Sequence, residues 1–272
     1  MEDGLLKIIF DNIDDLRKTV TRIAIPIIVL FCIFLMADVR TITAFGTTFW
    51  ILYPDPYQNV GAQFLTIMEV HTIGNKFTLL AIKPTDGVVA DFYSVMFLAL
   101  ILTSPFTSFE ISKFVGPALK ANEKQLFRMI TVPSVILFIA GSLIALVYVA
   151  PLMFDILYSF DIGVGANATM SINYFISFLL IYVLSFGLAF ETPVIMVGLT
   201  YMGLVKAQTW KLGWRYAVVA ALVFGLVFSP GVTGITMMLL AIPIIILYFA
   251  GIVVSSRVEK KRNGLQSTVT EK

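Results

Sequence analysis

Charge is scarce in this 272-residue chain. Only 13% of its residues are Asp, Glu, Lys or Arg, about half the share of an ordinary soluble domain, whereas 58% are hydrophobic. A soluble fold could not hide that much apolar surface, so the composition points to a polytopic membrane bundle. Cysteine is nearly absent: Cys32 stands alone inside an apolar run, which excludes a disulfide framework or a thiolate metal cluster. His71 is the one histidine. No phosphate-binding loop, dinucleotide fingerprint or H-E-x-x-H motif occurs, which argues against an ATP-driven pump or a zinc protease. Two facing intramembrane aspartates, as an aspartyl protease needs, are also missing. The sequence therefore predicts no enzyme, no cofactor, no metal and no nucleic-acid partner.

What is present is a series of long apolar runs. At the N-terminus Leu5, Ile9, Ile13, Leu16 and Val20 recur at three- and four-residue spacing, which describes an amphipathic interfacial helix and no removable signal peptide. Spans are expected at about 20–39, 88–109, 130–154, 172–196, 216–228 and 237–254, Pro26 being tolerated inside the first. Between the first two lies a mixed aqueous loop over 40–91, in which the alternation of 63–70 and 76–80 around Gly74-Asn75 predicts a β-hairpin. Residues 1–262 then form a single membrane domain, and 263–272 a polar, disordered tail.

The fifth run has 13 residues, short enough for a re-entrant segment, and charge decides between the two. With six crossings, every one of the 19 basic residues except Arg40, Lys76 and Lys83 falls on one side. That asymmetry places both termini in the cytoplasm of a cell-membrane protein. The expected fold is an all-α membrane protein with six transmembrane helices and a short fifth–sixth hairpin. Spans shorter than the bilayer demand local thinning or a partner.

Acids near the membrane are the candidate functional groups, because an ionised carboxylate in hydrocarbon is costly unless it is paired or faces a polar cavity. Glu191 lies within the fourth span, in Phe190-Glu191-Thr192-Pro193, where the proline removes a backbone donor. It reads either as a structural acid satisfied by a neighbouring helix or as a polar contact for a substrate or partner helix. Glu123 falls on the border of the apolar face of a helix expected over 117–128. Read alone, a pairing with Lys120 or Lys124 is its simpler account. Asp14, Asp15 and Glu110, each alone, read as helix-capping or solvated acids.

Taken together, these residues resemble a known family. Asn12-Ile13-Asp14-Asp15-Leu16-Arg17-Lys18 resembles the "HLxELRxR" segment of the twin-arginine translocase subunit TatC. Ser104-Pro105 followed by Phe114-x-x-Pro117-Ala118-Leu119-x-x-x-Glu123 is similar to its first cytoplasmic loop. Phe186-Gly187-x-x-Phe190-Glu191-x-Pro193 is similar to its fourth-span motif, and Ala241-Ile242-Pro243 with Leu247-Tyr248 to its sixth. The resemblance implies a receptor for the signal peptides of folded exported proteins, driven by the proton-motive force. It further implies that Asp15, Arg17, Phe114, Pro117 and Glu123 form the signal-peptide site. Glu191 and Pro193 would then face a cavity used by single-span TatA/TatB-type subunits, other copies of the chain or the inserted peptide. A guanidinium meets a carboxylate in a two-pronged geometry that an ammonium cannot copy, which suits an arginine pair. The chain departs from the family pattern at Asn12, Asp15, Ser112, Gly231 and Phe249. A proton- or ion-coupled transporter of a small solute is the alternative, but it would be expected to show an internal repeat, and none is evident.

Overall fold

Hydrophobic length sets the helices, and the breaks between them fall where proline or polar residues make continuation costly. The computed structural model describes residues 2–44, 47–115, 124–229 and 234–270, with 2–13, 15, 41–44, 47–50, 112, 114–115, 124–130 and 263–270 traced by backbone alone. Five helices are long and apolar enough to cross a membrane: Leu16–Met36, Asp86–Ile111, Thr131–Gly163, Ile172–Tyr201 and Gly234–Arg262. A sixth apolar helix, Trp214–Phe228, is shorter, its 15 residues rising only about 22 Å.

Helix α1 (Glu2–Met36) carries the amphipathic N-terminal segment and the first apolar run without interruption, Pro26 included. It ends three residues earlier than expected, because Ala37 opens strand β1 (Ala37–Ala44). That strand pairs antiparallel with β2 (Thr47–Pro54), Asp38 opposite Tyr53 and Thr41 opposite Trp50. The hairpin of this loop is therefore built from its Thr-, Ile- and aromatic-rich first part, and not from 63–80 as the alternation suggests. Residues 60–72 are instead helical (α2, Val60–Thr72), capped by Asn59, whose side chain accepts from the Ala62 N–H at 2.9 Å. Gly61, Leu65, Met68 and Thr72 are its buried face, a 3.6-residue period that outweighs the local alternation. Strand β3 (Thr78–Leu80) pairs in parallel with β4 (Thr169–Ser171). Strands thus accompany the helical fold outside its apolar spans.

Helix α3 (Asp86–Val115) is the second span. The third is α4 (Lys124–Ile144), a π-helical turn at Ala145–Val149, and α5 (Ala150–Gly163). That wider turn accommodates Pro151, which has no N–H to return to the preceding turn. The fourth comprises α6 (Ile172–Phe190) and α7 (Thr192–Tyr201). Helix α8 (Ala207–Leu212) leads to α9 (Trp214–Phe228), and α10 (Gly234–Thr270) completes the chain. The terminal tail is not separate from this helix, whose backbone stays helical to Thr270.

Two compact units result: Met1–Val135 with Thr169–Leu180, and Ile136–Ala168 with Ile181–Lys272. In the first, Asn59 donates to the Leu35 carbonyl at 3.2 Å and to Asp91 Oδ2 at 2.5 Å, tying α1, α2 and α3 together. Asp86 accepts from the Ile82 and Lys83 amides and, at 2.6 Å, from Asn173 Nδ2. In the second, close helix crossings dominate. A Cβ on Gly141 would lie 2.5 Å from the Phe190 ring, one on Gly187 2.5 Å from Ser142 Oγ, and one on Gly225 2.6 Å from the Met237 carbonyl. Small residues let these backbones approach, as membrane helices require in the absence of a hydrophobic drive between them.

Candidate functional site

In the first unit the site begins with the contact between α1 and α3. Phe31 meets Phe92 edge-on at 6.0 Å, and Arg22 Nη1 lies 3.7 Å from Glu110 Oε2. Positions rise on α1 as they fall on α3, so the two helices run antiparallel. Glu110 is buried, its side chain only 7% exposed, while Arg22 above it is half exposed. Lys113, one turn along α3, brings its ammonium to 3.9 Å from Glu110 Oε1. The sequence reading of Glu110 as a solvated acid is thereby corrected. Which face of α3 meets α1 is not marked by its polar residues, since Ser94, Thr103 and Ser104 are buried as Glu110 is.

The expected signal-peptide residues continue from this pair. Asp15 stands seven residues before Arg22, about 20° away on the helix wheel, and Phe114 stands one turn beyond Glu110. Because the helices are antiparallel, both steps lead toward the same end of the pair. Arg17 is exposed on α1, and its carbonyl accepts from Thr21 Oγ1 at 2.8 Å. Asp15 and Phe114 are placed by their helical backbone. Pro117 and Glu123 lie outside the described residues.

The second unit holds Glu191 and Pro193. Pro193, second in α7, cannot donate to the carbonyl one turn back, so α6 closes at Phe190 and α7 starts afresh at Thr192. Glu191 occupies the joint. Its amide donates to Leu188 O at 3.1 Å, its carbonyl accepts from Ile195 N at 3.0 Å, and its side chain is partly buried. Pro193 is buried, and its Cα would be 3.3 Å from a Cβ on Gly251 of α10. Tyr182, Phe186 and Phe190 stack one turn apart along α6, leading up to the joint.

A second polar cluster in this unit was not foreseen. Arg262 Nη1 donates to the carbonyls of Thr200 at 2.8 Å and Tyr201 at 3.2 Å, placing a cation at the C-terminus of α7, where the helix dipole favours it. Glu259 Oε2 accepts from the Ala207 N–H at 3.0 Å at the start of α8. Trp210 Nε1 reaches Thr200 Oγ1 at 3.0 Å, and the Tyr248 hydroxyl donates to the Trp210 carbonyl at 2.8 Å. Gly203, at φ 78°, makes the turn under Arg262 that a side chain would obstruct. Tyr248 thus ties α8 to α10. Among the described residues no group of three or more His, Cys, Asp or Glu side chains could hold a metal ion.

Comparison with known proteins agrees with this fold. Residues 11–243 match the family described as TatC, Sec-independent protein translocase protein. The TatC protein of Cenarchaeum symbiosum is 29% identical over 250 residues, covering 92% of this chain and 95% of that one. The TatC protein of Aquifex aeolicus is 30% identical over 193 residues, 69% of this chain and 78% of that one. A crystal structure of the twin arginine translocase receptor TatC shares the fold with a TM-score of 0.73 at 24% identity, covering 91% of this chain and 99% of that chain. With several apolar helices, family motifs in order along the chain and a family match over most of its length, this multi-pass membrane protein belongs to the TatC family of Sec-independent protein translocase components.

Proposed function

We propose that this chain is the twin-arginine signal-peptide receptor of its translocase. It crosses the cytoplasmic membrane six times, with both termini in the cytoplasm. Folded cargo is recognised through its signal peptide at the cytoplasmic end of α1 and α3, where Asp15 and Glu123 receive the arginine pair and Phe114 and Pro117 shape the pocket. The observation that carries the reading is the antiparallel α1–α3 pair. It sends Asp15 and Phe114, from motifs almost a hundred residues apart, toward one end of the same helix pair. Arg17 belongs to the same surface, exposed on α1.

Glu191 and Pro193 serve a later step. A break in an apolar helix leaves a carboxylate partly buried at membrane depth, which suits contact with a single-span TatA/TatB-type partner, another copy of the chain or the inserted signal peptide. Translocation is driven by the proton-motive force. The orientation rests on the distribution of basic residues, and a reporter fused after Arg262 that proved extracytoplasmic would overturn it. For the receptor role, Glu123→Ala is expected to weaken binding of a twin-arginine peptide by about tenfold or more with the protein's level in the membrane unchanged. Loss of the protein from membranes would make Glu123 a structural residue instead.

A further inference from the structure

Glu110 is an acid that neither the family motifs nor the six-span scheme calls for. It sits in the last turn of the second span, after the Ser- and Thr-bearing stretch 103–108. Its side chain is nearly all buried, so its charge is poorly solvated and its acceptor capacity is worth more than on an open surface. Yet its ion-pair partners among the described residues hold it loosely. Arg22 stands at 3.7 Å and Lys113 at 3.9 Å, whereas a charge-assisted N–H···O bond closes to about 2.7–2.9 Å. Both cations are themselves more than half exposed, so each can swing into water at little cost. A carboxylate offers about four lone-pair sites, and among the described residues the charges set against this one stand no closer than 3.7 Å.

Its position also matters. Glu110 lies one helical turn inward of Phe114 on α3, and Arg22 lies two turns inward of Asp15 on α1. The ion pair is therefore the inner end of the surface assigned above to the signal peptide. Arg22 resembles the ligand chemically: it is a guanidinium already resting on an acid, at a distance from which it could be displaced.

We infer that Glu110 is a further acceptor for the cationic region of the signal peptide, and that Arg22 is an internal cation that occupies it until the peptide arrives. The inference rests on the receptor reading above. Arrival of the peptide exchanges one guanidinium for another, and Arg22 moves to solvent. The exchange keeps the charge count at Glu110 constant, so the acid is never left buried and bare, the state that would cost most. Arg22 thereby sets a threshold: a peptide must offer a better-aimed cation than the one in place. A lysine, which cannot form the two-pronged contact, displaces Arg22 less well.

The test uses the full-length protein in nanodiscs and a fluorescent peptide carrying Ser-Arg-Arg, read by anisotropy. Glu110→Gln is expected to weaken binding by about tenfold, and Arg22→Gln to tighten it by a few-fold because the competing cation is gone. The double charge swap Arg22→Glu with Glu110→Arg keeps an ion pair between α1 and α3 but puts a cation where the peptide needs an acid. It is expected to retain the thermal stability of the parent and to lose binding. If Glu110→Gln leaves affinity unchanged while Glu123→Gln abolishes it, the inference is overturned and the receptor reading stands. If Arg22→Gln weakens binding as much as Glu110→Gln, and the swap restores both stability and binding, the pair is a structural clamp and the inference is overturned. If the parent protein itself does not distinguish the peptide from one carrying Lys-Lys, the receptor reading fails and the inference with it.

Discussion

Glu110 and Glu191 are both carboxylates in apolar helices, and the chain houses them in opposite ways. Glu110 sits in an unbroken helix and is balanced by cations that reach in from exposed positions. Glu191 sits at a helix break, where the backbone satisfies itself around Pro193 and glycine crossings pack the neighbouring helices close. One acid is paired with exposed side chains, and the other is carried on a hydrogen-bonded turn of main chain. The difference teaches that an acid meant to exchange partners needs replaceable ones, whereas an acid meant to present a fixed contact needs a rigid joint. On this account the α1–α3 end is a site of binding equilibrium, and the joint between α6 and α7 is a scaffold for assembly.

The largest effect that could break this comparison is on the scaffold. Gly141→Ala puts a methyl group 2.5 Å from the Phe190 ring and 2.8 Å from its Cβ, next to Glu191. Destabilisation of about 1–3 kcal/mol is expected, visible as a lower unfolding temperature in detergent. An unchanged temperature would mean that the joint is not rigid. A smaller structural effect with a larger functional one is expected for Glu191→Ala. Peptide binding should be spared, while export of a folded reporter falls by about tenfold or more. Normal export would remove Glu191 from the mechanism.

How much of this was legible in the sequence depends on whether the deciding contacts are local. The spans could be read because hydropathy over about 20 residues needs no tertiary information, and the joint at Glu191 because proline acts on its own backbone. The loop over 40–91 was half legible. Asn59 is an N-cap residue type ahead of Gly61, Leu65, Met68 and Thr72, which repeat with helical period. That signal overlaps an alternating segment, and the longer period prevails because Gly61 lets α2 approach Asp91 of α3. Glu110 could not be read at all. Its burial depends on which face of α3 meets α1, and the polar residues of α3 do not mark the other, since Ser94, Thr103 and Ser104 are buried too. The Arg262 contact with Thr200 and Tyr201 was hidden for the same reason, its partners being some sixty residues away.

The smallest expected effect lies in the loop between the first two spans, where Asp55 is held within the loop itself. Asp55 accepts from the amides of Tyr57 at 3.0 Å and Gln58 at 3.3 Å and pairs with Arg40 at 2.7 Å. The Tyr57 amide above all, with that of Gln58 and the Arg40 charge, holds its carboxyl below the usual carboxylate range against the opposing effect of desolvation. A depressed folded value stabilises above the unfolded pKa, and that contribution is lost as pH falls through the folded one. Asp55→Asn should therefore lower thermal stability slightly at neutral pH and not at all below the folded pKa, which flattens the acid limb, and leave peptide binding and export close to the parent. A large loss at neutral pH would show the loop to be more than a cover.

The most direct test of the central claim is photo-crosslinking from a probe placed beside Glu123 to a signal peptide carrying either Arg-Arg or Lys-Lys, in membranes containing the full-length protein. The account predicts strong labelling of the Arg-Arg peptide and weak labelling of the Lys-Lys peptide. Equal labelling of the two, or of neither, would contradict it.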